Sequence, residues 1–334
     1  MRELAQEVLK GNRRAVARML TAVENEREGV EQALAVLYPQ TGRAWIVGVT
    51  GAPGTGKSTL VNALTLAYRK QGKTVAIVAV DPTSPFTGGA ILGDRIRMRD
   101  LSGDSGVFIR SMATRGSLGG LARATRDSVR VLDAAGFDLI FVETVGAGQN
   151  EVAIARMAHT TLVVEAPGLG DEVQAIKAGI LEIADVLVVN KADHPGVTNT
   201  VRALRTIFEL GHPTARRFVN HHGQRMEVDE PNGNVLWIPP IVETVAAEGK
   251  GIDDLTAAIE KHRQHLAGGQ MLADMERQQI EIEMEDRLRE GLLRRLFERV
   301  PASAIQDVIE RVQARSLDPH TAVNELIDQA EKLA

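Results

Sequence analysis

The stretch WIVGVTGAPGTGKST, residues 45–59, decides the fold. Trp45, Ile46, Val47 and Val49 make the short apolar run of a buried strand. Gly51, Ala52, Pro53, Gly54, Thr55, Gly56, Lys57 and Ser58 then match G-x-x-x-x-G-K-[ST] at every fixed position. Such a loop aims successive backbone N–H groups inward at a polyphosphate, and a Cβ at several of its glycine positions would block the approach. A helix predicted over 58–70, opening on Ser58 and Thr59, turns the positive end of its dipole to the same phosphates. Lys57 supplies a mobile cation for the β and γ phosphates, and the Ser58 hydroxyl is placed to ligate Mg²⁺. A chance glycine-rich turn does not require a strand before it and a helix after it, and both are present.

The composition sets the frame around that loop. A chain of 334 residues, 44% hydrophobic and 25% charged, is long enough for a large core with appendages. Its net charge of −5 argues against a general nucleic-acid or acidic-membrane binder. Cysteine is absent, which excludes disulfides, Cys-ligated zinc and thiol catalysis and fits a reducing compartment. No apolar run has the length of a membrane span and residues 1–11 are charged rather than signal-like, so a cytoplasmic protein is expected. With aromatics at 3%, the core must be built from Ala, Val, Leu and Ile.

Downstream of the loop, apolar strands alternate with helices. KTVAIVAVDP (73–82) reads as a buried strand ending in Asp81, and the Gly- and Ser/Thr-rich segment after it, which contains Asp94, reads as a switch or as an ordinary exposed loop. Arg110–Gly120 reads as a glycine-containing stretch before a helix over 120–135, whose Arg123, Arg126 and Arg130 form a stripe read as a solvated or partner-facing surface. Strand 136–143 ends in Glu143, which stands to Gly146 as in D-x-x-G with Glu replacing Asp. Gln149 could orient water or cap a helix over 150–157. Strand 160–166 leads into PGLGDEVQAIKAG, where Asp171 to Lys177 is either a capped helix start or a segment that couples nucleotide state to something else.

Strand 185–189 ends in Asn190-Lys191-Ala192-Asp193, the N-K-x-D pattern. A carboxylate there accepts two hydrogen bonds, from N1–H and the 2-amino group of guanine, whereas adenine offers an acceptor and no amino group. The motif therefore points to GTP over ATP. After a helix over 198–210, residues 212–234 read as a hairpin or irregular insertion, with His212, His221 and His222 as loop histidines rather than metal ligands. A strand over 235–242 then brings Thr244, Val245, Ala246 and Ala247 to the position of a second base-contacting loop, ahead of a helix over 252–266.

The ends of the chain are helical. Apolar positions over 3–37 have helical spacing, interrupted near Gly11–Asn12 and Gly29. Residues 270–299 read as one long amphipathic helix ended by Pro301, followed by helices over about 303–314 and 319–333. The domains expected are a helical extension over 1–40, a P-loop GTPase domain over 41–268 with a mostly parallel sheet flanked by helices (α/β), and a helical arm over 269–334. A long helix beyond a complete α/β domain has no sheet left to cover, which favours a homodimer.

The motifs DPTSPFTGGAILGDRIRM (81–98), ETVGAGQNE (143–151) and PGLGDEVQAIK (167–177), together with the phosphate loop, resemble the methylmalonyl-CoA mutase-associated GTPase family of the MeaB/ArgK type over nearly the whole chain. By that resemblance Gly51 to Thr59 bind phosphates, Ser58, Asp81, Asp94 and Glu143 make the Mg²⁺ environment, and Asp193 reads guanine. Its third switch corresponds to the segment around Asp171, Gln174 and Lys177. The resemblance implies a slow, partner-stimulated GTPase that gates cofactor loading or release for an adenosylcobalamin-dependent acyl-CoA mutase and protects it from inactivation, as a dimer joined by its C-terminal arm. Two departures stand out: the connection between Asp193 and Ala246 is long, and the guanine-side loop reads TVAAEGKG, without the usual Ser-Ala pair. A nickel-type metallochaperone GTPase and a kinase of amino-acid transport are the rival readings; missing cysteines weigh against the first, and the guanine motif and the lack of a kinase catalytic loop against the second.

Overall fold

The structure, a computed structural model, describes residues 1–81, 99–101, 103–113, 118–144, 154–168, 181–210 and 237–332. Among these residues one sheet is formed by β1 (Trp45–Thr50), β2 (Val75–Asp81), β3 (Val107–Ala113), β4 (Leu139–Thr144), β5 (Thr160–Glu165), β6 (Val186–Asn190) and β7 (Ile241–Thr244). Its order is β3-β2-β4-β1-β5-β6-β7, and every neighbouring pair is parallel. Parallel strands joined by crossovers are covered on both faces, which is why β4, β5 and β6 are buried at every residue and read as mainly apolar runs with polar residues at their ends. The parallel α/β architecture expected from the sequence is the one observed. All strands end at one edge, and β1 lies at the centre, where the order reverses and open α/β sheets form their ligand crevice.

The helices that matter for the site are α4 (Lys57–Lys70), α5 (Leu118–Ala134), α6 (Val197–Leu210) and α7 (Ile252–Ala267), preceded by the short helices α1 (Arg2–Leu9), α2 (Arg13–Glu24) and α3 (Val30–Leu37). Asn12 caps α2 by accepting from the N–H groups of Arg14 and Ala15. Met19, Leu20 and Leu37 of this prefix share one core with Val78, Val80, Ile140 and Val142 of the sheet. Arg13 donates to the carbonyls of Ser105 and Val107 at the free edge of β3, and Glu24 pairs with Arg110 of the same strand, so the prefix blunts an edge that would otherwise invite pairing.

Three sequence expectations are corrected. The stretch from Arg110 is strand as far as Ala113: β3 is an edge strand, and its Arg110 and Ser111 hide the apolar pattern. The arginine stripe of α5 is not simply solvated, because Arg123 pairs with Glu31 and Asp127, and Arg130 pairs with Asp127 and lies over the Tyr38 ring. The last strand, expected over 235–242, is 241–244 among the described residues; 237–240 lie outside it, and Pro239 and Pro240 have no N–H to give a ladder.

The amino ends of the strands carry a buried polar relay. Trp45 Nε1 donates to Thr160 Oγ1 (3.0 Å), which meets His262 Nδ1 of α7 (3.0 Å), and His262 Nε2 lies 3.3 Å from Asp185 Oδ1. Asp185 Oδ2 in turn accepts the Thr161 N–H at 2.7 Å, and the Asp185 carbonyl accepts from Trp237 Nε1 at 2.8 Å. Beside this relay His159 packs against Trp45 with the rings tilted by 43°, and its Nδ1 accepts the Ile46 N–H at 3.1 Å. Burial, then the positive charge of Arg263 and the proximity of His262, lower the His159 pKa to about 4. An unfolded histidine binds its proton near pH 6.5, so the native state takes up fewer protons between the two values. Stability is therefore intact above pH 6.5 and falls by about 3 kcal/mol as the pH drops to 4. Urea unfolding at pH 7 and pH 4.5 checks this: His159→Gln, which keeps an acceptor for Ile46, should lose most of that slope, and an equal slope in both proteins would show that another group is responsible.

Two compact units divide the chain, Met1–Leu272 and Ala273–Ala334. The second holds all but the first two residues of the long helix α8 (Met271–Arg299), followed by α9 (Ala302–Gln313) and α10 (Pro319–Lys332). Arg311 makes a two-pronged pair with Glu325 at 2.8 and 3.1 Å, joining α9 to α10, and Asp318 caps α10 through the N–H groups of His320 and Thr321. Ile280, Met284, Leu288, Leu292, Leu293 and Phe297 of α8 are exposed.

Candidate functional site

The phosphate loop leaves β1 through Gly51, whose φ is +138° and where a Cβ would lie 2.1 Å from the Val164 carbonyl of β5. Gly56 closes the loop at φ +91°, and a Cβ there would come within 2.5 Å of Asn190 Nδ2. Both positions are thus restricted to glycine by backbone conformation and by close approach. Lys57, buried at the start of α4, donates from Nζ to the carbonyls of Gly51 (2.8 Å) and Ala52 (2.9 Å), which holds its cation over the loop. The Ser58 hydroxyl donates to Glu143 Oε1 at 2.6 Å, and both side chains are buried. Glu143 is in register with Val49 across β4 and β1, so the strand ends themselves bring this carboxylate beside the loop.

The N-K-x-D segment follows β6 directly. Asn190 spends its side chain on the protein: Nδ2 donates to the Thr55 carbonyl (2.8 Å), while Oδ1 accepts from Thr244 Oγ1 (3.1 Å) and the Ala246 N–H (3.1 Å). One amide therefore ties the phosphate loop to the loop after β7. Lys191, in the left-handed region at φ +57°, donates from Nζ to the Gly54 carbonyl at 2.7 Å. The Asp193 side chain is 49% exposed, available to a ligand, with His194 Nε2 3.9 Å away. Val245 pairs with Lys250 in an isolated bridge that closes the loop through Ala246 and Ala247, and Glu248 keeps the Lys250 pKa raised with a smaller contribution from Asp193.

The structure thus brings together Gly51 to Thr59, Glu143, Asn190, Lys191 and the 245–247 loop. For Asp81 it gives the backbone, which ends β2 in register with Ala113. Asp94, Gly146, Gln149, Asp171, Gln174, Lys177, His212, His221 and His222 lie outside the described residues. Thr244 was expected at the base-side loop, but the pair Thr50 and Thr144, whose hydroxyls meet at 3.2 Å, was missed in the sequence. Ser58 and Glu143 form an all-oxygen donor set in contact, which fits Mg²⁺, an ion that takes one or two protein ligands and completes its shell with phosphates and water.

A parallel sheet with a phosphate loop after its central strand, tied through one asparagine to an N-K-x-D segment, defines a P-loop protein of the GTPase class. The chain belongs to the family described as methylmalonyl Co-A mutase-associated GTPase MeaB, whose sequence profile matches residues 16–300. It is similar to a Pyrococcus abyssi protein that carries a GTPase name, 46% identical over 327 residues, which make up 98% of this chain and 96% of that protein. It is also similar to GTPase ArgK of Escherichia coli, 34% identical over 95% of this chain and 92% of that one. A crystal structure named LAO/AO transport system kinase superposes with a TM-score of 0.70 at 28% identity, covering 98% of this chain and 96% of its own.

Proposed function

We propose that the chain hydrolyses GTP to GDP and phosphate with Mg²⁺, and that it acts as a chaperone of an adenosylcobalamin-dependent acyl-CoA mutase. The observation that carries the hydrolase reading is the Asn190 tie, since it makes the phosphate loop and the guanine motif two halves of one site. The family description supports the choice of client, methylmalonyl-CoA mutase or a mutase of a related branched acyl-CoA.

In this reading Lys57 and the loop N–H groups hold the phosphates in line, Asp193 selects guanine, and Glu143 fixes the Ser58 hydroxyl for the metal. Mg²⁺, when bound, neutralises charge that grows on the phosphates. Little covalent chemistry remains for side chains, so catalysis is positioning and electrostatics, completed when a partner engages the segments containing Asp94, Asp171 and Lys177. The exposed apolar stripe of α8 suits a second copy of the chain, and sedimentation at twice the chain mass is expected of a cytoplasmic homodimer. No helix among the described residues is long and apolar enough to cross a membrane.

The test is GTP hydrolysis, with ATP as control, in the presence and absence of purified adenosylcobalamin mutases. Strong acceleration by one mutase is the expected result. Slow turnover that no mutase changes would keep the GTPase and move the client towards metal delivery, and label passing from γ-phosphate to an acceptor instead of to free phosphate would make the chain a kinase.

A further inference from the structure

We infer that Thr144, held by Thr50, is a positioning residue for the Glu143 carboxylate and couples it to the phosphate loop; the inference rests on the GTPase reading above. Successive residues of a strand point to opposite faces. Glu143 therefore meets Ser58 of α4 on one face of the sheet, while Thr144 meets Thr50 of β1 on the other. Thr50, Glu143 and Thr144 are 0, 4 and 2% exposed, so water does not compete for these contacts. The end of β4 is gripped from both sides by the strand and helix that flank the phosphate loop.

The same strand holds the chain where it returns. Gly48 of β1 has no side chain, and a Cβ placed there would lie 2.8 Å from Ile154 Cγ2 and 3.1 Å from Ala158 Cβ. β1 thus meets the chain both at Thr144, the last residue of β4, and at Ile154. Movement of the phosphate loop is transmitted through β1 to the carboxylate that orients Ser58. An apolar pair at positions 50 and 144 would fill the same space without the hydroxyl bond that sets the rotamers.

Thr144→Val keeps the shape and leaves the Thr50 hydroxyl buried without its partner. Expected are a fall in kcat for GTP of about 5- to 10-fold and a comparable rise in the Mg²⁺ concentration for half-maximal rate, the fold-change of about one hydrogen bond. Affinity for GDP without Mg²⁺ should stay within about twofold, because the bond does not face the base or the loop N–H groups. Thr144→Ser should restore the rate. Thr50→Val approaches the bond from the other strand should Thr144→Val fold poorly, and the double variant should be no worse than either single one, since it leaves no orphan hydroxyl. A Thr144→Val protein with the wild-type rate and Mg²⁺ requirement, or losses that add in the double variant, would overturn the inference alone. Wild-type protein without GTP turnover would overturn the GTPase reading and this inference together.

Discussion

Asp193→Asn should lower the affinity for GTP and GDP by about 1000-fold or more while raising the affinity for xanthosine nucleotides. The carboxylate is an acceptor at both oxygens and suits the two donors on the guanine edge. An asparagine amide pairs one donor with one acceptor, which matches the xanthine edge, where a carbonyl replaces the 2-amino group. The geometry isolates this effect from folding: Asp193 is 49% exposed, whereas Asn190 and Lys191 do the holding, through the Thr55 and Gly54 carbonyls. Competition of GDP, IDP and XDP against a fluorescent guanine nucleotide measures it. Unchanged GDP affinity in Asp193→Asn would remove Asp193 from the base site.

Lys57→Ala should reduce kcat/KM for GTP by at least about 100-fold, the usual cost of losing one preorganised group that stabilises transition-state charge. In the structure the ammonium bridges the Gly51 and Ala52 carbonyls. The bond to Gly51 is buried and the bond to Ala52 is half-buried, so stability is followed alongside turnover. Thermal unfolding and single-turnover hydrolysis, measured on the same preparation, separate the two effects. Wild-type turnover in a folded Lys57→Ala protein would mean that the loop does not act on phosphates.

What the sequence made legible was whatever local pattern controls. The phosphate loop needs its glycines and lysine at fixed spacing, and β1, β4, β5 and β6 are almost wholly buried and therefore mostly apolar, with polar residues gathered at their ends. β3 was illegible because an edge strand can carry Arg110, paired to a helix some ninety residues earlier in the chain. The part played by Asn190 was hidden for a related reason. Its motif announces a nucleotide site, but its partners Thr55 and Thr244 lie 135 and 54 residues away, and only the order of strands makes them neighbours. Thr50 and Thr144 look like ordinary strand residues until β1 and β4 are known to be adjacent. The His159 and His262 relay has the same origin, a set of side chains from β1, β5 and α7 that meet only after the sheet has closed.

That relay carries an optical consequence. The chain has two tryptophans, Trp45 at the head of β1 and Trp237 bonded to the residue before β6, so both indoles report from the amino-terminal rim of the sheet. His159 stands 4.6 Å from the first in a tilted ring contact, and His262 and His265 stand 4.8 and 5.1 Å from the second. Ultraviolet-excited emission of the unmodified chain is therefore a gauge of the rim opposite the phosphate loop. It follows the integrity of the sheet and, at Trp45, the protonation of His159, and an engineered chromophore near the phosphate loop would supply a second, independent colour for the events there.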